Sequence, residues 1–142
     1  MENGKALEIK HILGVDFGTS NVGLSLADTE TRIAFAFGVL KNNNELWRDL
    51  EKIVAQENIQ QVVVGVPGYA LTEKEKNEHQ IFGEQLAKKF AVEVAYAEEM
   101  FTTQSAHKNL QEAQKKNVGK NDDAESARII LQDWLDKFSV NH

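Results

Sequence analysis

The chain is predicted to fold as an α/β domain. Its core is one mixed five-stranded sheet, three antiparallel strands followed by parallel ones, with helices on both faces in the order βββαβαβαα. Three observations predict it. Near the N-terminus, short apolar runs are separated only by turn residues, the signature of antiparallel hairpins. Beyond residue 44, helical apolar spacing alternates with extended runs, as in parallel strands joined by crossover helices. Between two of those helices lies Val62-Val-Val-Gly-Val66, a continuous β-branched run of the kind that helices cover on both faces.

Each element follows from its residues. Residues 12–17, 22–27 and 32–40 read as three strands of a meander, with the turn Gly18-Thr-Ser-Asn21 between the first two. From Asn44 to Ile59, Leu46, Trp47, Leu50, Ile53 and Val54 fall on one helical face. Val62–Val66 is the fourth strand. Thr72 with Glu75 forms a capping box for a helix reaching Phe90, with Phe82, Leu86 and Phe90 facing inward. Val92–Ala97 reads as the fifth strand, and a short helix is expected from about Thr103 to Gln114. Lys115–Asn121 reads as a loop. The last helix runs from about Asp122 to Phe138, its core face formed by Ala127, Ile130, Leu131, Trp134, Leu135 and Phe138.

Composition bounds the class. With 142 residues, 42% of them apolar, one proline and no long polar tract, the chain is expected to form a single domain over residues 1–142. Residues 1–10 and 139–142 are expected as flexible ends. No apolar run approaches the ~20 residues that span a bilayer, and the N-terminus lacks the apolar core of a signal peptide. The absence of cysteine excludes thiolate–zinc sites and suits a reducing compartment, so a cytoplasmic location without membrane contact is expected. His11, His79, His107 and His142 have no metal-ligand spacing. A net charge of −6 excludes a broad nucleic-acid-coating surface, leaving local contacts. Monomer and homodimer are both compatible with the sequence.

The chemistry is carried by acids. Asp16 interrupts a strand otherwise made for burial, and a buried carboxylate is costly unless paired, hydrogen-bonded or bound to a cation. Glu98 and Glu99 lie where the fifth strand ends, and Asp122 and Asp123 where the last helix begins. If the first strand is central, its neighbour can carry Glu99 and the last helix can cross both, so that Asp16, Glu99 and Asp123 converge. Hard divalent ions favour such carboxylate sets, and two such ions promote phosphodiester hydrolysis. Glu98 is the alternative to Glu99, because one residue of register turns a strand side chain to the other face. Plainer roles exist for each acid: a helix N-cap for Asp122 or Asp123, and a solvated strand end for the Glu pair.

At these residues the chain resembles the YqgF/RuvX family of RNase H-like nucleases, described as Holliday junction resolvases and as nucleases maturing the 5′ end of pre-16S rRNA. The resemblance covers about residues 10–138. It rests on Asp16-Phe-Gly-Thr-Ser-Asn-Val-Gly-Leu-Ser25, Val63-Val-Gly-Val-Pro67, Glu98-Glu-Met-Phe-Thr-Thr103 and Asp123-Ala-Glu-Ser-Ala127 ahead of Ile129-Ile-Leu-Gln132. It implies an RNase H-like fold and a metal-dependent nuclease, with Asp16, Glu99 and Asp123 as catalytic, metal-binding acids for one or two Mg²⁺ or Mn²⁺ ions. It implies structured RNA or branched DNA as the partner, contacted by Thr19, Thr102 and Thr103. The chain departs from the family at three cations: the basic pair of the first hairpin is Ser20-Asn21 here, and the Arg after Glu99 is Met100. Lys115, Lys116 and Lys120, which precede Asp123, either replace those phosphate contacts or form a solvated loop.

Two other functions compete. A non-catalytic nucleic-acid- or protein-binding module on the same fold suits the missing cations, but has no reason to keep three mutually repelling carboxylates. The Asp16–Asn21 hairpin also resembles the phosphate-binding hairpin of actin-like ATPases. Those proteins need two lobes, and this length provides one.

Overall fold

The computed structural model describes residues 10–67, 77–98 and 122–139. Its elements are β1 (His11–Phe17), β2 (Asn21–Asp28), β3 (Phe35–Lys41), α1 (Leu46–Gln56), β4 (Ile59–Val66), α2 (Glu78–Phe90), β5 (Glu93–Glu98) and α3 (Asp122–Ser139). The strands form one sheet in the order β3-β2-β1-β4-β5. β1 is therefore central, antiparallel to β2 and parallel to β4, while β2–β3 is antiparallel and β4–β5 parallel. This is the expected mixed sheet.

Strand alternation sorts the core into two layers. On one face Leu13, Val15, Val22, Leu24, Val62 and Val64 pack against Leu46 and Leu50 of α1 and Phe82 and Leu86 of α2. On the other, Ile12, Ala27, Val63 and Ala97 pack against Ile130, Leu131 and Leu135 of α3. The run Val62–Val64 is buried throughout because it feeds both layers. Trp47 and Phe90 join the first layer, where Phe82 lies 5.2 Å from the Trp47 ring and 4.3 Å from Phe17.

Several boundaries differ from expectation for local reasons. The third strand begins at Phe35 rather than residue 32, because Arg32 adopts φ 57°, a left-handed conformation that does not continue a strand. Helix α2 begins at Glu78, with Asn77 and Gln80 exchanging reciprocal side-chain bonds to backbone N–H groups at 3.0 and 3.1 Å. That capping box, not one at Thr72 and Glu75, starts the helix; Thr72 and Glu75 lie outside the described residues, as does the helix expected from Thr103 to Gln114. α2 ends at Ala91 in the left-handed conformation, a position glycine usually takes.

The β2–β3 connection is organised by one carboxylate. Asp28 accepts from the backbone N–H groups of Glu30 and Thr31 at 2.8 and 2.6 Å, and from the Thr31 hydroxyl at 3.0 Å. The bond from the Thr31 N–H is the main reason the Asp28 carboxyl is held below its ordinary value of 3.8. A depressed carboxyl contributes stability that is present above its unfolded-state value and lost as pH falls through the folded one. Asp28→Ala is therefore expected to destabilise the protein by about 0.5–1 kcal/mol at neutral pH, the low end for an exposed group. The difference should shrink as pH falls below 3.8 and through the lower folded-state value, where the wild-type carboxylate becomes protonated. Urea denaturation of both proteins across pH checks this, and a pH-independent difference would contradict it.

Candidate active site

Asp16 lies one residue from the end of β1, and its direction follows from its neighbours. Leu13 and Val15 point into the α1/α2 layer, as does Phe17, which stacks on Phe82. Ile12 points into the α3 layer, and a Cβ on Gly14 would stand 2.8 Å from that of Leu131. Asp16 continues the series of Ile12 and Gly14 and so faces α3. It is half-buried.

The cross-strand partner of Asp16 is Gly23, and Gly23 is where α3 arrives. A Cβ at Gly23 would overlap the backbone carbonyl of Asp123 and lie 3.0 Å from the Asp123 Cβ. Directly opposed residues carry Cβ atoms about 5 Å apart, which puts the Asp16 and Asp123 Cβ atoms within roughly 8 Å of each other. Asp123, also half-buried, sits in the first turn of α3 rather than before it. An acid there is favoured by the helix dipole.

The seat of α3 is shaped by small residues and fixed by hydrogen bonds. Gly14 and Gly23 offer no side chain to hold the helix away, and Ala124 and Ala127 are buried where it meets the sheet. Ser25, fully buried on β2, donates to the Ala127 carbonyl at 2.7 Å. Further along α3, the Gln132 side chain accepts from the Ala34 N–H at 2.8 Å and donates to the Arg32 carbonyl at 3.3 Å. The β1–β2 turn is held separately: the Gly18 N–H donates to the Asn21 carbonyl at 3.0 Å. Asn42 donates to the Gly18 carbonyl through its side chain at 2.7 Å and to the Ser20 carbonyl through its backbone at 2.9 Å.

Of the site residues expected from sequence, Asp16 and Asp123 are brought together. Thr19 is exposed in the turn beside Asp16, flanked by exposed Ser20 and Asn21. Glu98, the alternative to Glu99, falls on the other side: Val94 and Tyr96 pack into the α1/α2 layer while Ala95 and Ala97 belong to the α3 layer. Alternation therefore turns the exposed Glu98 away from Asp16, and it does not stand in for Glu99. Glu99, Thr102, Thr103, Lys115, Lys116 and Lys120 lie outside the described residues. Among the described residues no three acidic or imidazole groups form a metal-holding set. Arg128, five residues beyond Asp123, is committed to Glu125 through two bonds of 2.9 and 2.5 Å. Gly14, Gly23, Ser25 and Asn42 also build the site, and none of them is among the residues expected from sequence. The usable signal was two glycines within strands, which mark close backbone approach.

Comparison with known proteins places the chain in a family. Residues 10–137 match the family model described as RuvX: Holliday junction resolvase, and the chain belongs to that family. Among its relatives is a "Putative pre-16S rRNA nuclease" of Burkholderia cenocepacia, 29% identical over 138 residues and covering 90% of each chain. Another of the same name, from a Sulfurihydrogenibium species, is 26% identical over 141 residues, covering 94% of this chain and 95% of the relative. The class is thus that of nucleases, hydrolases of phosphodiester bonds. Thermus thermophilus RuvC in complex with a Holliday junction substrate shares the fold at 16% identity and a TM-score of 0.54, covering 88% of this chain and 93% of its own. Another structure of that RuvC gives 13% identity and a TM-score of 0.55, covering 92% and 96%. No helix among the described residues is long and apolar enough to cross a membrane.

The close approach at Gly23 is directly testable. Gly23→Ala would force its methyl into the Asp123 backbone, and overpacking of this kind costs about 1–3 kcal/mol. A lowered midpoint in thermal or urea denaturation is expected. Unchanged stability would mean that α3 does not seat at this distance.

Proposed function

We infer that this chain is a divalent-metal-dependent endonuclease that hydrolyses phosphodiester bonds in the cytoplasm, acting in 5′-end processing of pre-16S rRNA, with branched DNA as the other candidate substrate. The observation that carries this reading is the meeting of Asp16 and Asp123 across Gly23. Two half-buried carboxylates with oxygen donors alone suit a hard cation. Glu99, the residue next to Glu98 in the sequence, is proposed as the third acid. Asp16, Glu99 and Asp123 would hold Mg²⁺ or Mn²⁺, which when bound supplies Lewis acidity to the phosphate and a more acidic attacking water.

The protein's own contribution is preorganisation. Asp16 is carried by the central strand and Asp123 by a helix anchored through Ser25 and Gln132, so neither carboxylate has to be gathered when substrate arrives. Keeping the two acids close costs repulsion in the metal-free protein, which a cation relieves. Thr19, in the turn held by Asn42, is proposed to contact the backbone of the nucleic acid, together with Thr102, Thr103 and the lysines 115, 116 and 120.

One observation favours a second reading, a non-catalytic RNase H-like module. Ser20 and Asn21 stand exposed where the family carries a basic pair, and Arg128 is tied to Glu125. Phosphate contacts supply much of the affinity for nucleic acid.

Cleavage of a pre-16S leader RNA and of a four-way DNA junction, with Mg²⁺ or Mn²⁺, separates the readings. Wild-type protein is expected to cut one of them. Asp16→Asn is expected to abolish cutting while leaving the thermal midpoint unchanged or raised, because one repelling charge is removed. Full activity in Asp16→Asn would overturn the site. An inactive but folded wild type on both substrates would favour the non-catalytic module.

A further inference from the structure

The sheet order leaves β3 at one edge and β5 at the other, and the two edges differ. β5 carries Glu93 and Glu98, exposed charges of the kind that keep an edge from pairing with another chain. Along β3 and its approach, Ile33-Ala-Phe-Ala-Phe-Gly-Val-Leu40 contains no charged residue, and no Asp or Glu occurs between Glu30 and Glu45. Ile33 is 53% exposed, Phe35 63% and Phe37 42%. Among the described residues, what guards this strand is Lys41 at its end and an irregularity in its register with β2 at Phe37, between the pairs Leu24–Gly38 and Ser25–Ala36. Beside it lies a shallow cavity of about 180 Å³, lined by His11, Leu26, Phe35 and Phe37 among others.

We propose that β3 is a self-association edge, pairing antiparallel with β3 of a second copy of this chain to form a twofold-symmetric dimer with a continuous ten-stranded sheet. Several features of the edge fit a second copy. A twofold axis through an edge strand pairs it with itself and satisfies the open backbone groups of both copies at once. In a chain of net charge −6, this acid-free stretch is a place where two copies meet without carboxylate repulsion, and the seam buries no unpaired charge. Antiparallel pairing also carries the exposed Lys41 of one copy toward the exposed Glu30 of the other. Taking about 200 Å² for a large apolar side chain, Ile33, Phe35 and Phe37 offer roughly 300 Å² per copy, a size at which exposed apolar patches are often functional. With the backbone edge included, the pair buries on the order of 1,000 Å², the lower bound for a specific interface. The dimer is accordingly a concentration-dependent one.

Sedimentation equilibrium across about 1–200 µM tests this. The wild-type mass is expected to rise from 15.9 kDa toward twice that value, while Phe35→Lys and Phe37→Lys each remain single chains with unchanged circular dichroism. Hydrogen exchange on the wild type gives a reading that needs no variant: β3 amides should gain protection as concentration rises, and β5 amides should not. A single-chain mass throughout would overturn the proposal, leaving the edge to a different partner. So would a dimer that survives both substitutions, or one whose β3 amides stay unprotected.

Discussion

The structure depends on how closely α3 lies against β1 and β2. Gly14 and Gly23 remove the side chains that would hold the helix off, Ala124 and Ala127 present small surfaces to them, and Ser25 ties the Ala127 carbonyl to the sheet at 2.7 Å. Everything proposed for the site follows from this contact. A bulkier residue at position 23 would displace the first turn of α3, and Asp123 with it. The carboxylate of Asp123 is thus positioned by a residue with no side chain, on a strand that contributes no acid of its own to the site.

The central position of β1 supplies the second constraint. Its odd-numbered residues fill the layer beneath α1 and α2, and its even-numbered ones face α3. An acid at position 16 is tolerable because it lies near the strand end, where the sheet core gives way to a turn and the side chain is only half-buried. One residue earlier, at the fully buried Val15, a carboxylate would face a packed hydrocarbon layer and carry the full cost of desolvation. The same alternation on β5 sets Glu98 on the side of Val94 and Tyr96, away from the face that Asp16 shares with Ala95 and Ala97.

Much of this was legible in the sequence. The five strands and their mixed sense follow from short turns, period-two runs and the Val62–Val66 block, while the central place of β1, a condition of the acid reading, is supplied by the strand order. Asp16 stood out because its neighbours are made for burial. Less legible was whatever depends on tertiary approach. No local pattern says that Gly23 lies under Asp123, or that Asn42 clamps the Gly18–Ser20 turn across 24 positions. The start of α2 differs from the reading at Thr72 and Glu75, because Asn77 and Gln80 form the capping box that opens it. Arg32, unremarkable in sequence, ends the β2–β3 connection with a backbone conformation that propensity does not anticipate.

The claim that Asp16 and Asp123 share a divalent cation can be measured without substrate. Titrating Mn²⁺ into ¹⁵N-labelled protein broadens amide signals steeply with proximity to the bound ion. Broadening at sub-stoichiometric Mn²⁺ is expected first at Asp16, Gly23 and Asp123, with β3 and the C-terminal half of α3 unaffected. Broadening that begins elsewhere, or that is spread evenly over the acidic surface, would contradict the account.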